Sequence, residues 1–535
     1  MLEQRLYVNA TFHTQWDGYP RVTALLARGE HIIAVGTPED LRGQATGALE
    51  TIDLGGATVI PGLTDAHIHT ANYARESAAL DLRGTSSLDE ALGRIRVHAS
   101  RLPAGAWIFG GRWDFNTWDV PVQPDRAALD SATGSHPAAL PSIDGHTVWA
   151  NSAALARVGI DASTPDPVGG RIIRTPDGEP TGILREAAHA PLSEIMHGDA
   201  AGDLQSQLAS AQERLLAAGL TAVHDFDGEE CRTAYEGLRA RGDLRLRVHK
   251  SIPATSLDRA IDEGLATGYG DAWLRTGPVK LFSDGALGSH SSHMGSPFPG
   301  DDGNTGLEVT PYPELLALVR RAAGAGIAVA THAIGDRANQ LVLDAYQDLA
   351  LHPLHGSAAP RALRHRIEHT QHLRREDIAR VVRLGVVPSM QPTHCPTDIT
   401  LASTLLAGRD LASYAWRSLI DAGAFPAFGS DAPVELPNPL HGIHAAVTRQ
   451  RPDGEPTGGW QPGERITVAE AIAGFTIGAA HASGEEDLKG RLRPGMLADF
   501  TALGADPYTI DPAELRDVPV RATAVGGVLR YRDDA

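Results

Sequence analysis

The sequence predicts an α/β fold: a (β/α)8 TIM barrel, a small β-sandwich formed by both chain termini, and an insertion after the first barrel strand. Two observations carry this reading. Residues 58–430 alternate apolar strand-like runs with helical stretches, the pattern of a parallel sheet wrapped by helices. Both ends of the chain instead read as short β segments punctuated by Gly, Asp and Pro.

At the N-terminus, Arg5–Ala10, Val22–Ala27, His31–Gly36 and Thr51–Asp53 are alternating or β-branched segments. Eight barrel-strand candidates follow. They are Thr58–Pro61 leading to Asp65, Thr221–Asp225, Arg245–Ser251, Val279–Phe282, Ala328–His332, Arg366–His369, Val386–Met390 and Ala427–Ser430. Eight is the number that closes a barrel. Between them, Leu204–Ala218, Pro313–Ala325, Arg337–Leu349, Glu376–Leu384 and Leu411–Ala422 carry apolar residues at three- and four-residue spacing and read as helices. Residues 72–200 are too many for one crossover and form an insertion rich in Gly, Pro and Trp. At the C-terminus, Ala498–Leu503 and Val520–Tyr531 are strand-like, with Gly526-Gly527 as a hairpin turn. The expected partition is 1–57 with 485–535 for the sandwich and 58–484 for the barrel.

Composition limits the function classes. Hydrophobic residues at 42% and charged residues at 21% fit a soluble globular chain and argue against disorder. A formal charge of −19 repels nucleic acid and anionic membrane surfaces. Two cysteines, Cys231 and Cys395, exclude a disulfide framework and suit a reducing compartment. The first residues lack the pattern of a signal peptide, and no apolar run is long enough for a membrane span, so the cytoplasm is expected.

Six residues fall in or just beyond predicted strands, at the end of a barrel where active sites are built. His67 and His69 lie two apart, so both imidazoles point to one side and can reach one cation. Two histidines at the same end of successive strands, His332 and His369, favour ligands over core residues. Asp431, before Ala432-Pro433, fits a helix N-cap. With the histidines in place it reads as a metal-binding carboxylate that moves a proton. Lys280 is flanked by Val279 and Leu281. Burial would lower its pKa and let the neutral amine take up carbon dioxide as a carbamate. A lysine snorkelling to the barrel mouth fits equally well.

The phrases PGLTDAHIH, LDLRG, DGHTVWANSAAL, PTGILRE, VKLFSDGALGS, THAIGDRAN, RIEHTQ, FGSDAPV and GRLRPGMLADFTALGADP complete the pattern. In this order the chain resembles the amidohydrolase superfamily, in its YtcJ-like branch (the amidohydrolase 3 group), which includes N-substituted formamide deformylases. The resemblance implies two divalent metals, usually zinc, and hydrolysis of a non-peptide carbon–nitrogen bond by a metal-activated hydroxide. It implies that His67, His69 and Asp431 bind the more buried ion, that His332 and His369 bind the second, and that carboxylated Lys280 bridges them. Asp431 would also carry the proton to the leaving nitrogen.

Trp113, His146, Glu186 and His290 are candidate substrate contacts. His290 stands where many members of the branch have Arg, and His293 follows it; these two could instead alter the metal count. The expected partner is a small amide-like molecule, and nothing in the sequence decides between monomer and homodimer. Two other readings compete. One is a single-zinc deaminase, disfavoured because Ala333-Ile334-Gly335 follows His332 where many deaminases carry His-X-X-Glu. The other is a silent barrel with a binding role, disfavoured because every ligand position is filled.

Overall fold

The computed structural model describes residues 3–142, 147–197, 204–301, 303–351 and 363–533. They form two compact units, Met1–Asn72 with Leu208–Ala535, and Tyr73–Gln207.

The larger unit holds the barrel. Its strands are Leu63–Ile68, Leu220–Asp225, Arg247–Pro253, Leu274–Phe282, Val329–Ala333, Arg366–His369, Val387–Met390 and Ala427–Phe428. They pair in parallel and in chain order. The seam between the first and eighth strands is tied just beyond their ends. There the Asp431 backbone N–H donates to the His67 carbonyl (2.7 Å) and the His69 N–H to the Ala432 carbonyl (2.9 Å).

The first barrel strand is not Thr58–Pro61. Those residues end a long strand, Leu49–Pro61, which pairs parallel with Gln4–His13 and antiparallel with Phe500–Leu503 in the terminal sheet. The barrel strand begins after Gly62. A Cβ on Gly62 would stand 2.3 Å from Thr221 Oγ1, so only glycine lets the chain pass there. In sequence the two strands merge into one apolar run, which hides the break.

The terminal strands are hydrogen-bonded as one eight-stranded sheet. Alternation puts Tyr7, Leu25, Ala27 and Phe500 in one apolar cluster and Leu6, Ala24 and Leu26 in another, which Leu41 joins from the helix Pro38–Gln44. Gly526 and Gly527, at φ 61° and 66°, make the turn between Val520–Val525 and Val528–Arg532. The sheet is fastened to the barrel by a buried ion pair: Arg247 donates to both oxygens of Asp499, at 2.6 and 3.0 Å.

Helices Leu204–Ala217, Tyr312–Gly324, Asp336–Leu351 and Arg375–Arg383 stand where the periodicity puts them. Leu411–Ala422 differs. It splits into a strand, Leu411–Ser413, paired with His372–Arg374, and a helix, Trp416–Ala422. The helix His394–Leu405 has no counterpart in the sequence reading; Pro396 and its threonines blur the periodicity.

The second unit carries an antiparallel sheet of Gly170–Arg174, Pro180–Glu186, Thr147–Ala150 and Ala139–Pro141. Helices Leu88–Ala99 and Arg126–Thr133 contribute Ile95 and Leu129 to a core that includes Trp113, Trp118 and Trp149.

Candidate metal centre

His67, His69, Lys280, His332, His369 and Asp431 come together around one cavity of about 530 Å³ at the C-terminal end of the barrel strands. Each histidine is held by one ring nitrogen, and this decides which nitrogen is left. His67 Nδ1 faces Glu368 Oε2 at 2.5 Å, and His69 Nδ1 faces Asp227 Oδ1 at 3.1 Å. His369 Nδ1 faces Gln391 Oε1 at 2.7 Å, and His332 Nε2 faces the Gly285 carbonyl at 3.1 Å. All four partners are oxygen acceptors, so the facing nitrogen carries the proton. The lone pairs therefore sit on Nε2 of His67, His69 and His369 and on Nδ1 of His332.

Asp431 occupies the middle. Its Oδ1 is 3.5 Å from Nε2 of both His67 and His69, and its Oδ2 is 3.8 Å from His394 Nε2. Two ligand groups result, His67–His69–Asp431 and His369–His394–Asp431, with donor atoms within 4.8 Å of one another in each. His369 and Asp431 adopt left-handed backbone conformations, φ 73° and 59°, uncommon away from glycine and typical of residues held for a task. Asp65 supports them from below. Its Oδ1 accepts from the N–H groups of His67 (3.1 Å) and Ser430 (3.0 Å), joining the first and last strands under the site.

The electrostatics keep the imidazoles neutral. Burial, then the Lys280 charge, puts the His67 pKa well below the ordinary histidine range and lowers His332 to about 3. Burial, then the His332 charge, also puts the His369 pKa well below the ordinary histidine range. His69 is the exception: burial lowers its pKa, but the hydrogen bond and charge of Asp227 outweigh it and raise the net value. Lys280 is 3% exposed, and burial draws its pKa down to about 8 against the opposing charges of Glu368 and Asp431. Its Nζ lies 4.8 Å from the centre of the Phe226 ring. Burial also pushes Asp284 up to about 7, although the N–H groups of Gly335, Ile334 and His293 all donate to it.

The donor set suits a divalent metal. Nε2 of His67 and of His394 are buried without a hydrogen-bond partner, a cost that a bound cation would remove. Neutral imidazole with carboxylate is a zinc-type set.

Four other candidates fall differently. Trp113 is not a pocket wall. It is 1% exposed in the core of its own unit, and its indole N–H donates to the Leu140 carbonyl at 2.8 Å, so no face is left for substrate. Glu186 is exposed at the end of the strand Pro180–Glu186. His290 stacks on Phe298 with ring centres 4.8 Å apart, faces Asp301 at 3.6 Å and does not line the cavity. His146 lies outside the described residues. Neither His290 nor His293 belongs to either ligand group.

Glu368, Asp227, Gln391, Asp284 and His394 escape the sequence reading. Glu368 carries a signal, a carboxylate inside an apolar strand beside Arg366. His394 carries another, being four residues past the seventh strand, where the rule that selects His332 and His369 also applies.

A parallel eight-stranded barrel whose strand ends gather neutral imidazoles around one carboxylate defines a metal-binding barrel enzyme. A model described as the amidohydrolase family matches residues 50–531, and the chain belongs to that family. It is 32% identical over 529 residues to the putative amidohydrolase YtcJ of Bacillus subtilis, covering 97% of this chain and 98% of that protein. It is 30% identical over 556 residues to an N-substituted formamide deformylase of Arthrobacter pascens, with 98% of each covered. Among solved structures, an uncharacterized metal-dependent hydrolase from Pyrococcus furiosus superposes with a TM-score of 0.75 at 27% identity, covering 95% of this chain and 100% of that one. The protein is thus a metal-dependent hydrolase of the amidohydrolase superfamily. Among the described residues, no helix is long and apolar enough to cross a membrane.

Proposed function

We propose that this protein hydrolyses a non-peptide carbon–nitrogen bond in a small amide-like molecule, with two divalent cations, zinc by ligand type, as cofactors. The observation that carries the reading is Asp431 Oδ1, 3.5 Å from Nε2 of both His67 and His69 at the floor of the cavity. His67, His69 and Asp431 would hold one ion, and His332 and His369 the other. Burial draws the Lys280 pKa down to about 8, so part of its amine is neutral near neutral pH; by adding carbon dioxide and releasing a proton it would become a carbamate able to hold both ions.

When bound, the metals lower the pKa of a water and polarise the substrate carbonyl. The chain's own residues do the rest. Asp431 takes the proton of the attacking water and delivers it to the leaving nitrogen, because an amine leaves poorly unless protonated. Glu368, Asp227 and Gln391 fix the imidazole tautomers and ring directions. Phe282, Leu401 and Val434 give the cavity an apolar wall for the N-substituent, and Asp398 and Glu435 line its polar side.

The likeness to an N-substituted formamide deformylase makes formamides the first compounds to try. The test is a screen of N-substituted formamides, amides, carbamates and cyclic ureas with zinc-loaded protein, scored by amine release. Turnover of at least one class supports the reading. Ammonia release from an amino-substituted heterocycle, with one zinc per chain, would replace it with a deaminase.

A further inference from the structure

We propose that His394 is a further metal ligand: beside His332 and His369 it completes the seat of the second cation, on the side that Asp431 Oδ2 faces. This rests on the metal-hydrolase reading above.

The position comes first. His394 opens the helix His394–Leu405, just after the seventh strand Val387–Met390, at the end of the barrel where the other imidazoles gather. The same short loop carries Gln391, whose Oε1 holds His369 Nδ1 at 2.7 Å. One loop thus orients one imidazole and supplies its neighbour. The His394 N–H donates to the Gln391 carbonyl (3.1 Å), which fixes the two residues relative to each other.

The ring nitrogen is the second observation. His394 Nε2 is buried and makes no hydrogen bond. Its nearest carboxylate oxygen, Asp431 Oδ2, stands at 3.8 Å, too far for one. An unmatched buried nitrogen costs roughly 1–3 kcal/mol, and a cation between it and the carboxylate would satisfy both. The spacing fits. Zinc ligands about 2.0–2.2 Å from a tetrahedral ion lie roughly 3.4 Å from each other. Asp431 Oδ1 is 3.5 Å from its two histidine nitrogens on one side, and Oδ2 is 3.8 Å from His394 on the other. The donors of His369, His394 and Asp431 lie within 4.8 Å of one another, as do those of the first group. The His369 and His394 rings are nearly parallel, 12° apart with centres at 6.0 Å. Neither lone pair is spent on the other ring.

The experiment uses the full chain, stripped with a chelator and titrated with zinc or cobalt alone. Stoichiometry and affinity are read by calorimetry and chelator competition, and coordination by the visible spectrum of the cobalt form. Wild type should take two ions. His394→Ala and His394→Gln should keep the first and bind the second about tenfold or more weakly; the retained ion and the far-ultraviolet dichroism report folding. His67→Ala should weaken the other ion instead. A zinc-soaked wild-type crystal should show anomalous density between His369, His394 and Asp431, a readout that no misfolded variant can cloud. If wild type takes two ions and both His394 variants hold them with wild-type affinity, or the crystal shows no peak there, the inference fails and the hydrolase reading stands. If wild type takes only one ion and the His394 variants leave it untouched, the inference also fails. If wild type binds no ion in the cavity, the reading beneath it fails as well.

Discussion

Asp431 meets His67 twice: its backbone N–H donates to the His67 carbonyl at 2.7 Å, and its carboxylate Oδ1 stands 3.5 Å from His67 Nε2. The contact that ties the barrel seam also holds the Asp431 carboxylate beside His67 and His69. A shift of register at this seam would carry Asp431 away from His67.

Replacing Asp431 removes the group common to both ligand groups. Asp431→Ala should lower kcat by roughly 10²–10⁴-fold on any substrate the screen yields, with unchanged far-ultraviolet dichroism. Near-normal turnover by this variant would remove Asp431 from the chemistry.

Gln391 touches no cation in this reading, yet it holds His369 Nδ1. Gln391→Leu should loosen zinc by about tenfold or more through misorientation of His369. Chelator competition at constant pH measures it, and unchanged affinity would mean the ring is held by its backbone alone.

His290 stacks on Phe298 away from the cavity. His290→Ala should leave both zinc stoichiometry and KM within about twofold of wild type, since surface substitutions seldom cost more than roughly 0.5 kcal/mol. A large rise in KM would return this residue to the substrate loop.

Burial keeps His249 and His372 neutral, with pKa values lowered from 6.5 to about 3, and lowers His365 to about 4. The folded state therefore binds fewer protons than the unfolded chain below pH 6.5. Stability from these groups is fully present above that value and is lost as pH falls toward 3–4. At pH 5 each imidazole costs about 2 kcal/mol. Thermal melts from pH 7.5 to 4.5 should show a steep fall beginning near pH 6, flattened in His249→Leu. A flat profile through pH 5 in wild type would contradict the burial argument.

Gly62 is where the chain leaves the terminal sheet for the barrel. Gly62→Ala should cost roughly 1–3 kcal/mol by overpacking against Thr221. Adding Thr221→Ala, which removes the two closest atoms, should restore part of it. Denaturant midpoints in a double-mutant cycle measure the coupling, and additive effects would place the strain elsewhere.

The sequence revealed what periodicity and strand ends encode. His67, His69, His332, His369 and Asp431 were legible because a polar side chain at the end of an apolar strand has few other reasons to be there. Lys280 was legible because a lysine between Val279 and Leu281 is costly to bury. Glu368 and Asp227 were not, because their task is set by partners more than 150 residues away in sequence. His394, which lines the cavity, was passed over because it lies four residues beyond the seventh strand, at the start of a helix with weak periodicity. Trp113, a candidate substrate contact in the sequence, belongs to a core instead, because a tryptophan suits either place equally well. The switch at Gly62 was hidden because both flanking strands are apolar, and only the closeness of Thr221 shows why the chain breaks there.

The most direct measurement is a strip-and-restore experiment: cation content by mass spectrometry and amine release from the best formamide or amide, before and after chelation and zinc addition. The expected result is about two cations per chain, loss of turnover on stripping and recovery with zinc. Full turnover by protein holding less than about a tenth of a cation per chain would contradict a metal-dependent site built on Asp431.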